Sequence, residues 1–497
     1  MASVQNFALL VMLLALVTTA IDAISTEEDF VRCQNTVRKW AASSNDEVKE
    51  DKHTLQDLLF FLHVPRTGGR TYFHCFLRKL YASTHECPRS YDKLRFDPSK
   101  PDCRLMVTHD DYSMMSKLPK ERTSVVTILR NPIDRVFSTY EFSVEVAARF
   151  LVHPNLTSAT QLTGRIRPKN NGVSTLDIWP WKYLVPWMRE DLFRRRDARN
   201  QRFYKDVKES YDSYNMEETV MPLHEFINNP VAHDIIHNGA TFQVAGLTNN
   251  SCLSESHEVR HCVRKYPTLG TYVLDIAKKR LSDMLYVGLT EDHKESATMF
   301  ANVVGTQILS QFEALNSNSG KTATSKTELS SSFPDSEHDT NHLQNSTDDQ
   351  KESETSSSVD TANGTMTVGK LMDAYEVCIS SLRKAQGRRR TASLKRISPA
   401  NFSKDARHQV PDVIIQEIIS LNRLDVELYK HAKEIFTQQR KHLAEKLVEP
   451  EEQKTILGSL YGTSTWRPFL LAIAVLLLLL LTFFIVKARK QTSKLKV

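Results

Sequence analysis

The chain contains no Walker A sequence. Without G-x-x-x-x-G-K-[ST] it lacks the lysine with which nucleotide kinases and ATPases grip phosphates. Its seven cysteines (Cys33, Cys75, Cys87, Cys103, Cys252, Cys262 and Cys378) show no zinc-type spacing, and no ligand cluster suits another metal. Charge of one sign is also missing: the formal net charge is +6 over 497 residues, too mild to argue for a nucleic-acid partner. No internal repeat is evident, which leaves a large globular domain with accessories.

Long apolar runs occur only at the two ends. Residues 7–20 form a short apolar core followed by small residues, with cleavage expected at Ala20 or Ala23; no Lys or Arg precedes it. Residues 468–486 are nearly all apolar and long enough for a transmembrane helix. The tail behind them, 487–497, holds five Lys/Arg and no acid, so the positive-inside rule places it in the cytoplasm and the body in the lumen. Sequons begin at Asn155, Asn249, Asn345, Asn363 and Asn401, in keeping with a secretory route. An oxidising compartment implies disulfides, and proximity alone pairs Cys252 with Cys262 and Cys87 with Cys103.

Within the body, Leu58–Leu62 and Val64 read as a buried strand that stops at Pro65. Arg66-Thr67-Gly68-Gly69 follows, then an apolar pattern at helical spacing in Tyr72, Phe73, Phe76, Leu77 and Leu80. Strand, glycine loop and helix start together make an anion site, with amides and helix dipole aimed at whatever fills the loop. A second strand is expected over Cys103–Thr108, ahead of His109-Asp110, and a third over Thr123–Leu129. The third ends in Arg130-Asn131-Pro132 and feeds a helix that carries Ser138. Strands that each feed a helix through an Arg-containing turn predict an α/β domain on a central parallel sheet. Leu281–Thr290 reads as a further strand and turn, and Asp412–Leu447 as one long helix. Between 321 and 360, sixteen of forty residues are Ser or Thr and nine are Asp or Glu, too polar to build a core. A basic stretch, Arg194–Arg196 with Arg199 and Arg202, reads either as a solvated helix face or as a surface that attracts an anionic acceptor.

The two Arg-bearing turns, FLHVPRTGGRT (61–71) and VVTILRNPIDRVFSTYEF (125–142), resemble the paired signatures of sulfotransferases that use 3′-phosphoadenosine 5′-phosphosulfate. His109-Asp110, the LRNP helix, GLTE (288–291) and the segment 421–440 are similar to one branch, the heparan sulfate 6-O-sulfotransferase-like proteins. That branch has an N-terminal anchor. A cleaved signal, a C-terminal span and this core are instead similar to the plant-type tyrosylprotein sulfotransferases.

The resemblance implies a P-loop-like three-layer sulfotransferase fold. It implies that Pro65, Arg66, Thr67, Gly68, Gly69, Arg70 and Thr71 hold the 5′-phosphosulfate, Arg70 standing where the family usually has Thr, and that Arg130 and Ser138 hold the 3′-phosphate. His109 is then the general base and Arg66 the cation on the leaving phosphate. His63 serves to orient the loop, and Asp110 either orients His109 or caps a turn. No metal is required; His224, His233 and His237 read as surface or structural. The expected reaction is sulfuryl transfer to tyrosines of acidic secretory peptides in the Golgi lumen, with a glycan hydroxyl as the alternative acceptor and a non-catalytic lumenal binding protein as the third reading. The organisation expected is a signal peptide over 1–23, a lead-in over 24–54, a core over 55–310 and a disordered insertion over 311–367. A helical part over 368–450, a juxtamembrane stretch over 451–467, the span over 468–486 and the tail over 487–497 complete it.

Overall fold

A computed structural model of the chain describes residues 27–45, 52–87, 103–151, 154–155, 157–158, 193–197, 213–215, 221–230, 232–319, 366–394 and 402–461. Two compact units divide between Thr437 and Gln438, and every side chain whose contacts are described below lies in the first. The expected signal peptide, span and tail fall outside the described residues, as do most of the insertion and Asn345, Asn363 and Asn401. Among the described residues no helix is long and apolar enough to cross a membrane.

Four strands form one sheet in the order β2-β1-β3-β4: β1 Leu58–Leu62, β2 Leu105–Thr108, β3 Thr123–Leu129 and β4 Tyr286–Leu289. Every pairing is parallel. All residues of β1, β3 and β4 are buried. Because alternate side chains point to opposite faces, both faces of the sheet are covered, which is why LLFFL and TSVVTIL read as unbroken apolar or β-branched runs. Leu62 lies level with Thr108 on one side and Thr127 on the other, and Leu129 level with Leu289. The chain leaves β1 toward β2, then returns to place β3 on β1's other side, so the crevice at the carboxyl ends of β1 and β3 is the topological switch point where such sheets bind ligands.

The covering helices begin with α1 over 27–43, the lead-in predicted without settled order. It has a reason to be ordered: Val37 and Trp40 are buried, Cys33 is bonded to Cys262, and Asp29 pairs with Lys265. After β1, α2 runs through Gly69–Tyr72, a π turn Phe73–Leu77, and Arg78–Leu80. After β3, α3 spans Pro132–Phe150, with Pro132 in its first turn and the Asn131 side chain accepting from Ile133 N and Asp134 N. Then come α4 (Gly239–Val244), α5 (Ser256–Lys265) and α6 (Gly270–Ser282). Behind β4, α7 continues through His293–Phe300, a π turn Ala301–Gly305 and Thr306–Ser319, so helix persists past residue 310. Last are α8 (Val368–Leu394), α9 (Asp412–Leu421) and α10 (Arg423–Tyr461).

Two expectations need correction. Cys262 is bonded to Cys33, not to Cys252, because α1 docks on α5; Cys252 is the free thiol, half-buried beside Met114 Sδ at 3.6 Å. Cys87–Cys103 forms as expected, and Cys75–Cys378 joins α2 to α8. The long helix predicted over Asp412–Leu447 breaks at Asn422, where Asn238 intrudes: its side chain accepts from Leu424 N at 2.8 Å and caps α10, while its own amide donates to Asn422 Oδ1.

α10 is tied to α3 by a buried ion pair, Arg135 Nη2 to Asp425 Oδ2 at 2.8 Å, both side chains under 3% exposed. Asp425 also accepts from Thr241 N, Thr241 Oγ1 and Ala240 N, so one carboxylate fastens three helices. Asp425→Ala leaves Arg135 as an uncompensated buried cation, and urea unfolding should report a loss of about 3–5 kcal/mol.

Candidate active site

The carboxyl ends of the strands deliver the candidate residues. Thr67 is buried, and its hydroxyl donates back to Val64 O at 2.8 Å, closing the turn after β1. Arg66 stands at φ 67° and Gly68 at φ 85°. The first is a conformation that a side-chain-bearing residue adopts at a cost, and such strain is kept where function over-determines it. Gly69 is required by crowding: a Cβ there would lie 2.4 Å from the His63 ring. The loop therefore packs against His63 and opens toward the first turn of α2, where the Thr71 amide donates to Gly68 O at 2.9 Å.

The Arg66 side chain crosses to α3. Its Nε donates to Ser138 Oγ at 3.0 Å, and the guanidinium lies 4.5 Å from the centre of the Phe142 ring. Burial, reinforced by Arg130, lowers it to about 10, which leaves it cationic at neutral pH. Arg130 leaves β3 at the same level and donates through Nη1 to Arg66 O at 3.3 Å. Its Nε is buried without a hydrogen-bond partner, with the carboxylate of Glu291 at 3.9 Å. An orphaned guanidinium donor next to a glycine loop is suited to an anion. The loop and the second motif, separate in sequence, thus meet at Arg66, Ser138 and Arg130. Arg70 is exposed and Thr71 half-buried at the start of α2.

His109 follows β2 as His63 follows β1. The level ends of these strands stack the two rings, centroids 4.1 Å apart and 28° from parallel. His109 Nδ1 lies 2.9 Å from His63 O. A carbonyl only accepts, so Nδ1 carries the hydrogen and Nε2 keeps its lone pair. Burial pushes His109 down to about 4 and holds His63 well below the usual imidazole range, with the neighbouring cations adding to the shift at His63. At neutral pH His109 is a neutral ring with a basic nitrogen beside an anion loop.

No family model matches the sequence. A protein-tyrosine sulfotransferase of Arabidopsis thaliana is 56% identical over 483 residues, 95% of each chain. The chain belongs to the protein-tyrosine sulfotransferase family.

For a member of the protein-tyrosine sulfotransferase family, the GLTE segment and the closing helix acquire a physical role. Thr290 Oγ1 donates to Thr67 O at 2.6 Å and stands 3.0 Å from Leu129 O, stapling the glycine loop to the end of β3. Glu291 accepts from Asn131 N at 2.9 Å and from Tyr429 OH of α10 at 2.7 Å, holding the second motif. Asp110 is buried with its carboxylate on the Thr108 hydroxyl and the Asn250 amide, while the Nδ1 partner of His109 is the His63 carbonyl.

Glu141, one helical turn beyond Ser138, is a buried carboxylate met by Arg390 at 3.0 Å, Arg407 at 2.7 Å and the Tyr214 hydroxyl at 2.7 Å. The two arginines come from beyond the insertion and Tyr214 from before it, and no spacing in the sequence points to any of them. Of the basic stretch, Arg195 pairs with Glu225 and Arg196 with Asp197, while Arg199 and Arg202 lie outside the described residues. His237 Nε2 is 2.7 Å from Ile227 O and stacks on His233. Among the described residues no group of His, Cys, Asp or Glu could hold a metal ion. Asn155 and Asn249 are exposed.

Proposed function

We propose that this protein transfers the sulfuryl group of 3′-phosphoadenosine 5′-phosphosulfate to the phenol oxygen of tyrosines in secreted peptides and proteins. The observation that carries the reading is the tautomer of His109, whose Nδ1 is held by the His63 carbonyl so that Nε2 is the unprotonated nitrogen, at the end of the strand next to β1 and its glycine loop. The residues fit the donor. Loop residues 65–71 cradle the phosphosulfate, and Arg130 and Ser138 reach the 3′-phosphate.

In the transfer, the phenol oxygen attacks sulfur, the sulfur–oxygen bond to the 5′-phosphate breaks, and Nε2 of His109 takes the phenol proton. A phenol has a pKa near 10, so a positioned base assists its attack. Negative charge grows on the leaving phosphate, where Arg66 and the loop amides stabilise it, as such groups do in phosphoryl transfer.

The acidic neighbourhood expected of acceptor tyrosines suits a basic enzyme. The apolar segments at both ends of the sequence, its basic tail and the three disulfides support a type I protein of the Golgi membrane with its catalytic body in the lumen.

The test is an acceptor competition with labelled donor, offering an acidic Tyr-containing peptide, its Phe twin and desulfated heparan. Label should enter the Tyr peptide alone. Label on heparan alone would transfer the assignment to glycan sulfation, and donor binding without any transfer would point to a non-catalytic binding protein.

A further inference from the structure

α4 presses one buried side chain against the candidate base. Gln243, fully buried, directs its amide nitrogen at three backbone carbonyls: His63 O at 3.2 Å, His109 O at 2.9 Å and Asp110 O at 3.1 Å. Three acceptors can face only a donor, so the amide is oriented with nitrogen inward. The other end, Oε1, is buried with no hydrogen-bond partner. Leaving such an oxygen unpaired costs stability, so a residue serving packing alone would do better with an apolar side chain of similar length.

The three carbonyls are not arbitrary. His63 O is the acceptor that fixes His109 Nδ1, and His109 O belongs to the base itself. One amide therefore grips both the base's own backbone and the group that sets its tautomer. α4 has the rigidity this needs, since Asp425 accepts from the Thr241 amide and hydroxyl two residues before Gln243.

We infer that Gln243 is a positioning residue of the transfer reaction, one that keeps His109 in the Nδ1–H form with Nε2 aimed at the acceptor. The inference rests on the reading of His109 as the base. Without the amide the three carbonyls lose a common donor, the His63–His109 turn loosens, and the ring samples orientations in which Nε2 is misdirected. Outer-shell partners that orient a functional histidine elsewhere are worth roughly 10- to 100-fold, and the same range applies here.

The experiment uses the full chain with Gln243→Met and Gln243→Glu, labelled donor and the Tyr peptide. Gln243→Met should lower kcat roughly 10- to 100-fold, with the donor Kd and the melting temperature close to wild type. Histidine ring nitrogen shifts should report a mixture of His109 tautomers in place of one. Gln243→Glu gives a distinct signature: ionised, it repels the carbonyls, whereas protonated it donates one hydrogen bond. Its activity relative to wild type should therefore rise as pH falls. Wild-type kcat in Gln243→Met would overturn the inference. So would a loss matched by an equal loss of folded protein or of donor affinity, or a Gln243→Glu ratio that does not move with pH. Full activity in a His109→Ala protein would instead sink the base assignment, a separate result.

Discussion

His109→Ala should lower kcat by roughly 10²- to 10⁴-fold, the usual contribution of a positioned general base, while the donor still binds. Equilibrium binding of the donor and single-turnover transfer separate the two effects; a parallel loss of binding would mark His109 as a structural part of the loop. The pH profile supplies a second check. The wild-type base is competent when neutral, so activity falls as pH drops through its pKa. Burial sets that value at about 4 rather than 6.5, and an anionic donor beside the ring opposes the shift. The acid limb for acceptor turnover should therefore lie between those values, and it should vanish from the residual rate of His109→Ala. Stability follows the same sign. A folded-state pKa below the unfolded one gives stability that is complete above pH 6.5 and declines as pH falls toward 4, so His109→Ala should soften that decline.

Substitution at Arg66 should separate activity from stability. Both Arg66→Ala and Arg66→Gly remove the cation proposed to stabilise the leaving phosphate, and each should cost kcat about 10²- to 10³-fold, as loss of one electrostatic stabiliser does elsewhere. Both also lose the Ser138 hydrogen bond and the stacking on Phe142. They differ in the backbone. At φ 67° alanine carries the left-handed penalty and glycine does not, so Arg66→Gly should be more stable than Arg66→Ala by about 1 kcal/mol. Equal melting curves would show that the loop relaxes once the side chain is gone. Arg66→Lys keeps the charge but not the planar fork, and should recover part of the lost rate.

Much of this site was legible because its parts are local. A buried strand, a glycine turn and a helix start occupy consecutive residues, so Leu58–Tyr81 declares itself; Thr123–Leu129 matches its strand at both ends. The ring stacking of His63 and His109 was not legible, because it depends on the register that sets Leu62 beside Thr108, and register is invisible in a single strand. Gln243 escaped for a related reason: it works through backbone carbonyls, which carry no residue identity. Asn238, in the left-handed region, precedes α4 and caps α10 far along the chain, so the periodicity of 412–447 read through a break that only tertiary contact creates. Proximity paired Cys252 with Cys262, whereas the partner of Cys262 arrives on α1 from 229 residues away.

The bond between Cys75 and Cys378 spans 303 residues, and the other two disulfides both close within residues 33–262. A single peptide-bond cleavage anywhere between Ser319 and Met366 would therefore yield two polypeptides joined by one covalent link. The half that carries the glycine loop, His109 and Arg130 would stay fastened to the half that carries Arg390, Arg407, Asp425 and Tyr429. Such a clipped protein would migrate as one species on a denaturing gel without reductant and as two with it, so an intact band in the first gel says nothing about the continuity of the chain.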